Sequence, residues 1–76
     1  MADVPIEEAR NAVVSVLSSG IAMKEEDLCS AAADALGYKT MRESIFLRME
    51  KGITLANEEG RIRQNIAHRW VIAGSR

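Results

Sequence analysis

The chain contains 76 residues, of which 47% are hydrophobic and 28% charged, and its net charge is −1. A chain of this length buries only about 60% of the surface that it exposes when unfolded, so it supports one core rather than two. The composition is that of a soluble globular domain and excludes a disordered or collagen-like chain.

Several classes of protein are excluded by particular residue types. Uninterrupted apolar stretches such as residues 12–14 and 31–33 have three residues, whereas a membrane-spanning helix needs roughly 20. Residues 1–4 do not resemble a signal segment, and we expect a cytoplasmic domain with no membrane partner. A single cysteine, Cys29, and a single histidine, His68, exclude an internal disulfide and a zinc cluster of Cys and His ligands. We predict no metal, no cofactor and no small-molecule substrate.

The first helix is predicted to begin near Pro5, because Asp3 is a capping residue and proline suits a first helical turn. Gly20 is able to adopt a left-handed cap after its end. Its apolar residues recur at steps of three and four: Ile6, Ala9, Val13, Val16 and Leu17. The next three residues, 21–23, are too few for a helix and predict a connector or a strand with a single bridge.

The second helix is predicted over about residues 24–36, with Gly37 as its C-terminal cap. The side chains expected to face inward are Leu28, Ala31, Ala32, Ala35 and Leu36. Cys29 lies near this face without a neighbouring base or cation, so we interpret it as a buried, inert thiol.

The third helix is predicted over about residues 40–58, and Gly60 follows its end. Its apolar stripe consists of Met41, Ile45, Met49, Gly52, Ile53 and Ala56. Glycine inside a helix costs roughly 0.5 to 1 kcal/mol relative to alanine, so Gly52 indicates that a neighbouring backbone approaches closely. The outward positions are Glu43, Leu47, Glu50, Lys51, Thr54 and Glu58.

After Gly60 the spacing becomes that of a β-strand, with inward residues at every second position. Ile62 stands between two arginines, and Trp70 and Ile72 alternate with Arg69 and Val71. We predict a hairpin with residues 64–68 at its tip, where Asn65 tolerates the left-handed region. Helix, connector, helix, helix and hairpin is the order of a winged helix-turn-helix: mainly α, with three helices and a two-stranded wing. We expect one domain over residues 1–76, ordered at about 5–72. Its predicted core contains Val13, Leu17, Leu28, Leu36, Ile45, Met49, Ile53, Ile62 and Trp70.

A family resemblance accompanies this pattern. Residues 44–62, followed by Trp70, resemble the small C-terminal domain of unknown function that closes many large bacterial helicase-related proteins with a nuclease-like segment. The resemblance covers roughly residues 10–72. It rests on the Leu36-Gly37 helix end, on Ile45 with Arg48 and Met49, on Leu55-Ala56, and on Glu59-Gly60-Arg61-Ile62. It implies a winged-helix accessory module, with a helicase- or nuclease-type protein as partner. The chain departs from the family pattern in lacking a basic residue at Phe46 and in carrying Met41 and Glu43.

Charge is unevenly distributed along the chain. Residues 1–36 carry seven acidic and two basic side chains, a balance of −5, whereas residues 37–76 carry eight basic and four acidic ones, a balance of +4. A polyanion contact is therefore expected in the second half. The candidate contacts for nucleic acid are Lys39, Thr40, Arg42, Arg61, Arg63, Gln64, Asn65, His68 and Arg69.

Three interpretations of these candidates remain open: contact with phosphate, a solvated face that maintains solubility, and contact with protein. Acidic residues on the outward face of the third helix disfavour base reading and favour weak binding of double-stranded DNA with low sequence preference. Leu47 on the same face is the candidate for the alternative, protein docking within a larger DNA-processing assembly. We predict no enzyme, because the sequence offers no nucleophile with a base and no paired carboxylates.

Overall fold

A computed structural model describes residues 5–39 and 42–73 of the chain. It contains the helices α1 (Ile6–Leu17), α2 (Glu25–Ala35) and α3 (Glu43–Glu58), followed by the strands β1 (Ile62–Gln64) and β2 (Trp70–Ile72). The strands pair in an antiparallel sheet. The predicted fold class is confirmed, because three helices with a C-terminal two-stranded sheet form a winged-helix-like arrangement.

Helix α1 begins after Pro5, whose carbonyl accepts the backbone N–H groups of Glu8 and Ala9 at 3.0 and 3.1 Å. Proline thus precedes the first helical residue, and the capping residue predicted from the sequence, Asp3, lies outside the described residues. The helix ends as expected, because Gly20 adopts a φ of 91° and its N–H donates to Leu17 O at 3.0 Å.

The segment between α1 and α2 forms the single bridge that the sequence indicated. The N–H of Met23 donates to the carbonyl of Trp70 at 3.1 Å, and the N–H of Trp70 donates to the carbonyl of Met23 at 2.7 Å. Strand β2 therefore has a neighbour on both edges at Trp70: its N–H and carbonyl bond to Met23 on one side, and it stands opposite Gln64 of β1 on the other. This bridge joins the hairpin to the helical part of the molecule.

The inward face of α2 differs from the prediction. Its buried residues are Leu28, Cys29, Ala32 and Ala33, whereas Ala35 is exposed and Ala31 is only half-buried. Alanine carries too little apolar area to fix the rotation of the helix, so packing against the neighbouring helices decides which alanines are buried. Gly37 caps the helix as predicted, with a φ of 95°.

The predicted start of α3 was too early. Arg42 is extended, with φ −104° and ψ 158°, and its carbonyl accepts the N–H of Phe46 at 2.9 Å, so the first helical residue is Glu43. An acidic residue in the first turn suits the positive end of the helix dipole. Thr40 and Met41 lie outside the described residues. The predicted end at Glu58 is confirmed, and Gly60 follows with a φ of 77°.

Gly52 marks a close crossing of α1 and α3. A Cβ atom at this position would lie 2.8 Å from the carbonyl carbon and the Cβ of Ala9, and 2.9 Å from the N of Arg10. No ordinary Cβ contact is this short, so the prediction that a backbone approaches Gly52 is confirmed.

The core is shared by all three helices and both strands. Of the nine predicted core residues, seven are buried, including Ile62 and Trp70 on the hairpin. Leu36 and Ile45 are only partly buried and pack against the edge of this core, because each lies close to the end of a helix. Cys29 is buried as expected, and desolvation, with smaller contributions from Glu25 and Glu50, raises its pKa to about 12. The thiol is therefore protonated and unreactive at neutral pH.

Candidate nucleic-acid interface

The tip of the hairpin is held by the side chain of Asn65. Its Oδ1 accepts the backbone N–H groups of Ala67 at 2.9 Å and Arg69 at 3.0 Å. The backbone of Asn65 also bonds across the turn to its far end, donating to Arg69 O at 2.9 Å and accepting from the N–H of His68 at 3.0 Å. Four hydrogen bonds thus converge on one residue and give the tip a defined shape.

Two details of the predicted hairpin need correction. Gln64 belongs to β1, where it pairs with Trp70, rather than to the turn. The residue in the left-handed region is His68, with a φ of 60°, and not Asn65. The reason is that the Asn65 side chain acts as the acceptor that closes the turn, and this role does not require a left-handed backbone.

Arg63, His68 and Arg69 are exposed around this tip, together with Gln64. Within residues 5–39 and 42–73, neither Arg63 nor Arg69 forms an ion pair. The structure therefore brings together five of the nine predicted contacts: Arg63, Gln64, Asn65, His68 and Arg69. In this part of the chain no carboxylate competes with an anion for the guanidinium groups of Arg63 and Arg69.

Arg61 has a different environment. Its Nε lies 2.9 Å from Oε1 of Glu59, and the Nη1 of Arg10 lies 3.1 Å from Oε2 of the same carboxylate. Glu59 thus bridges a cation of α1 and a cation at the base of the hairpin. Because Arg61 is already paired, it has less to gain from a phosphate than Arg63 or Arg69. Arg10 and Glu59 are 49 residues apart, and no local pattern in the sequence indicated their contact.

The remaining candidates lie at the other end of α3. Arg42 immediately precedes this helix of 16 residues and Arg61 follows it closely, so the two are separated by about 24 Å at 1.5 Å per residue. Lys39 is exposed and lines a cleft of about 420 Å³ with Met23, Asp27, Ser30, Ala31, Ala33, Asp34 and Tyr38. Lys39 and Arg42 therefore form a second cationic group at and before the start of α3, and the cleft of Lys39 reaches the hairpin through Met23, which bonds to Trp70. Thr40 lies outside the described residues.

The outward face of α3 carries the predicted mixture of charges. Glu43, Lys51, Thr54 and Glu58 are exposed, and Leu47 is 48% exposed. Glu50 is half-buried, and it lies beside Glu25 of α2. A hydrogen bond between these two carboxyl groups, followed by desolvation and their mutual repulsion, raises the pKa of Glu50.

One exposed residue was missed by the sequence analysis. Ile66 is 100% exposed at the tip of the hairpin, whereas the other large exposed apolar residues in the described part of the chain, Ile21 and Leu47, are about half-covered. Its position in a turn of otherwise polar or small residues was the available signal, because an isoleucine in a solvated turn has no packing role.

Other kinds of site have little support in residues 5–39 and 42–73. No group of three or more His, Cys, Asp or Glu side chains is arranged to hold a metal ion there. No helix in the same part of the chain has the length and apolarity needed to cross a membrane.

Comparisons of the chain with models of protein families, with curated proteins and with solved structures found no match. The resemblance to the helicase-associated domain therefore stays a prediction.

Proposed function

We propose that this domain binds duplex DNA weakly and with low sequence preference, through the hairpin and the cations that precede α3. The observation that carries the proposal is the exposure of Arg63 and Arg69, which form no ion pair within residues 5–39 and 42–73, on a hairpin whose tip is fixed by Asn65. Cations that neutralise phosphates release condensed counterions, and this gain does not depend on sequence.

The low sequence preference follows from the outward face of α3. A winged helix that reads bases places this face in the major groove. Here the exposed Glu43 and Glu58 would meet the phosphates that line the groove, and each would be repelled. Contact through the hairpin avoids this repulsion.

The two cationic groups are compatible with one duplex. Arg42 lies about 24 Å along α3 from the base of the hairpin, and one helical turn of DNA is about 34 Å long. Lys39 shares a cleft with Met23, which bonds to Trp70 of the hairpin. We therefore expect a duplex of one turn to be long enough to reach both groups, and duplexes shorter than about 24 Å to bind less well.

The test compares two double variants by fluorescence anisotropy with labelled duplexes of unrelated sequence, over a range of salt concentrations. Arg63→Ala/Arg69→Ala should weaken binding to all duplexes similarly and reduce the slope of log affinity against log salt by up to about 1.8. The control, Lys24→Ala/Lys51→Ala, removes the same charge from exposed positions outside the proposed surface. It should change the slope much less.

Equal effects of the two double variants would mean that binding reflects net charge alone, and the proposed surface would be rejected. Binding of one duplex far more tightly than of the others would reject low specificity.

Protein docking is the second candidate, because Leu47 is 48% exposed in the middle of a charged helix face. The partner suggested by the family resemblance is a helicase- or nuclease-type protein. Leu47→Asp should leave duplex binding almost unchanged, since Leu47 is not part of the cationic surface, and should abolish co-purification with such a partner. A loss of duplex binding in this variant would contradict the division between the two surfaces.

A further inference from the structure

Ile66 occupies an unusual position for a large apolar side chain. It is 100% exposed at the hairpin tip, and Asn65 on one side and Ala67 on the other are tied to each other by a hydrogen bond of 2.9 Å. A branched apolar side chain at such a position gains nothing from the fold, and its burial against a partner would be favourable.

The loop that carries Ile66 is already ordered. Asn65 closes it through bonds to Ala67, His68 and Arg69, so binding does not require the loop to lose much further freedom. A preorganised loop suits a side chain that is inserted into a partner, because little of the binding free energy is lost in ordering the backbone.

The surroundings of Ile66 indicate the chemistry of its partner. Arg63 and Arg69 are exposed around the same tip, so the apolar side chain of Ile66 has cations beside it. A polyanion with an apolar interior matches this arrangement, and duplex DNA has phosphates outside and stacked bases inside. Minor-groove proteins insert apolar side chains, isoleucine among them, between base steps in this way.

We propose that the hairpin tip enters the minor groove and that Ile66 acts as a wedge, inserted between two base pairs and partly unstacking them. The proposal rests on the proposed duplex binding and adds a mode of contact to it. The minor groove is about 6 Å wide and 7.5 Å deep, so the Ile66 end of the tip enters first, and the kink that a wedge produces bends the duplex toward the major groove and opens the minor groove around the tip. Steps that unstack easily, such as TA, should be preferred over stiff A-tracts.

The test uses duplexes containing 2-aminopurine, whose fluorescence rises when it is unstacked, together with anisotropy to measure affinity. The wild-type protein should raise the fluorescence of a duplex rich in TA steps. Ile66→Ser should bind about ten-fold more weakly and leave the fluorescence unchanged. Because Ile66 is fully exposed, this variant should fold as the wild type does. The control is Ile21→Ser, which alters the half-exposed isoleucine of the connector and should behave as the wild type.

The outcomes separate this inference from the proposed function. If the wild type binds the duplex but Ile66→Ser binds equally well, without a difference in fluorescence, the wedge is rejected and phosphate contact stands. If the wild type does not bind any duplex, both fail. Ile66-dependent binding to anionic phosphatidylserine vesicles, without unstacking of the duplex, would also overturn the wedge and assign Ile66 to a membrane surface.

Discussion

The crossing of α1 and α3 and the tip of the hairpin are held together in opposite ways. At Gly52 two helices approach so closely that even a methyl group has no room, whereas at the tip Ile66 is fully exposed and hydrogen bonds alone maintain the shape. The first region depends on packing and does not tolerate changes in volume. The hairpin tip should tolerate a change in the size of the Ile66 side chain, but its shape depends on one polar side chain, Asn65.

Trp70 connects these two regions, and its removal should have the largest effect on stability. It is 92% buried, and its backbone bonds to Met23. Trp70→Ala should reduce the free energy of unfolding by about 3 to 5 kcal/mol, as measured by denaturant unfolding, because it leaves a large cavity. A melting temperature within a degree or two of the wild type would exclude Trp70 from the core.

Trp70→Phe is the matched control for this loss. The indole Nε1 is buried and has no hydrogen-bond partner within the described residues, and such an unsatisfied donor costs about 1 to 3 kcal/mol. Phenylalanine keeps most of the apolar area and removes the unsatisfied donor. Its cost should therefore be clearly smaller than that of alanine.

Gly52→Ala should have the next largest effect. Alanine favours the helix by up to about 1 kcal/mol over glycine, but its Cβ would overlap the backbone of Ala9 and Arg10, and overpacking costs about 1 to 3 kcal/mol. We expect a net loss of stability, measured by thermal unfolding. Thr54→Ala, at an exposed position of the same helix, should be neutral or slightly stabilising.

A second variant distinguishes side-chain overlap from backbone overlap at this crossing. In Ala9→Gly/Gly52→Ala one of the overlapping atoms, the Cβ of Ala9, is absent, but the backbone atoms of Ala9 and Arg10 remain. Stability should therefore not return to that of the wild type. Full recovery of the wild-type melting temperature would contradict an overlap between the new Cβ and the backbone of α1.

Asn65→Ala should destabilise the protein less and alter the hairpin more locally. It removes the acceptor of two backbone N–H groups at the tip. Hydrogen bonds contribute about 0.5 to 1.5 kcal/mol each, and the exposed N–H groups can bond to water instead, so we expect a loss of about 1 kcal/mol. Amide hydrogen exchange should increase at Ala67 and Arg69 and not in the helices. Exchange that increases throughout the core would contradict the independence of the tip.

The sequence predicted the packed region better than the hairpin tip, and the reason is physical. Gly52 was recognisable because a helical period surrounds it, and glycine there has a cost that only close packing explains. At the tip several residues can supply the same turn, so the left-handed position fell on His68 rather than on Asn65. The pairing of Glu59 with Arg10 and Arg61 joins distant parts of the chain, and such contacts leave no periodic signal.

The smallest predicted effect lies at the rim of the packed region, where α2 and α3 bring Glu25 and Glu50 together. Because the pKa of Glu50 is raised above its ordinary value of 4.5, the folded protein binds this proton more tightly than the unfolded chain does. The shared proton therefore contributes stability that is fully present below about pH 4.5 and is lost as the pH rises through the raised pKa. At neutral pH the two carboxylates repel each other in the folded state.

Glu50→Gln keeps a hydrogen-bond donor for Glu25 without the charge, so it should raise the melting temperature slightly at neutral pH. This advantage should disappear in acid. Glu58→Gln removes the same charge two turns farther along α3 and should not show this pH-dependent gain. Circular dichroism melts of both variants over a range of pH measure the difference. If Glu50→Gln is no more stable than the wild type at neutral pH, the two carboxyl groups are too far apart to share a proton, and the packed region has no repulsion at this rim.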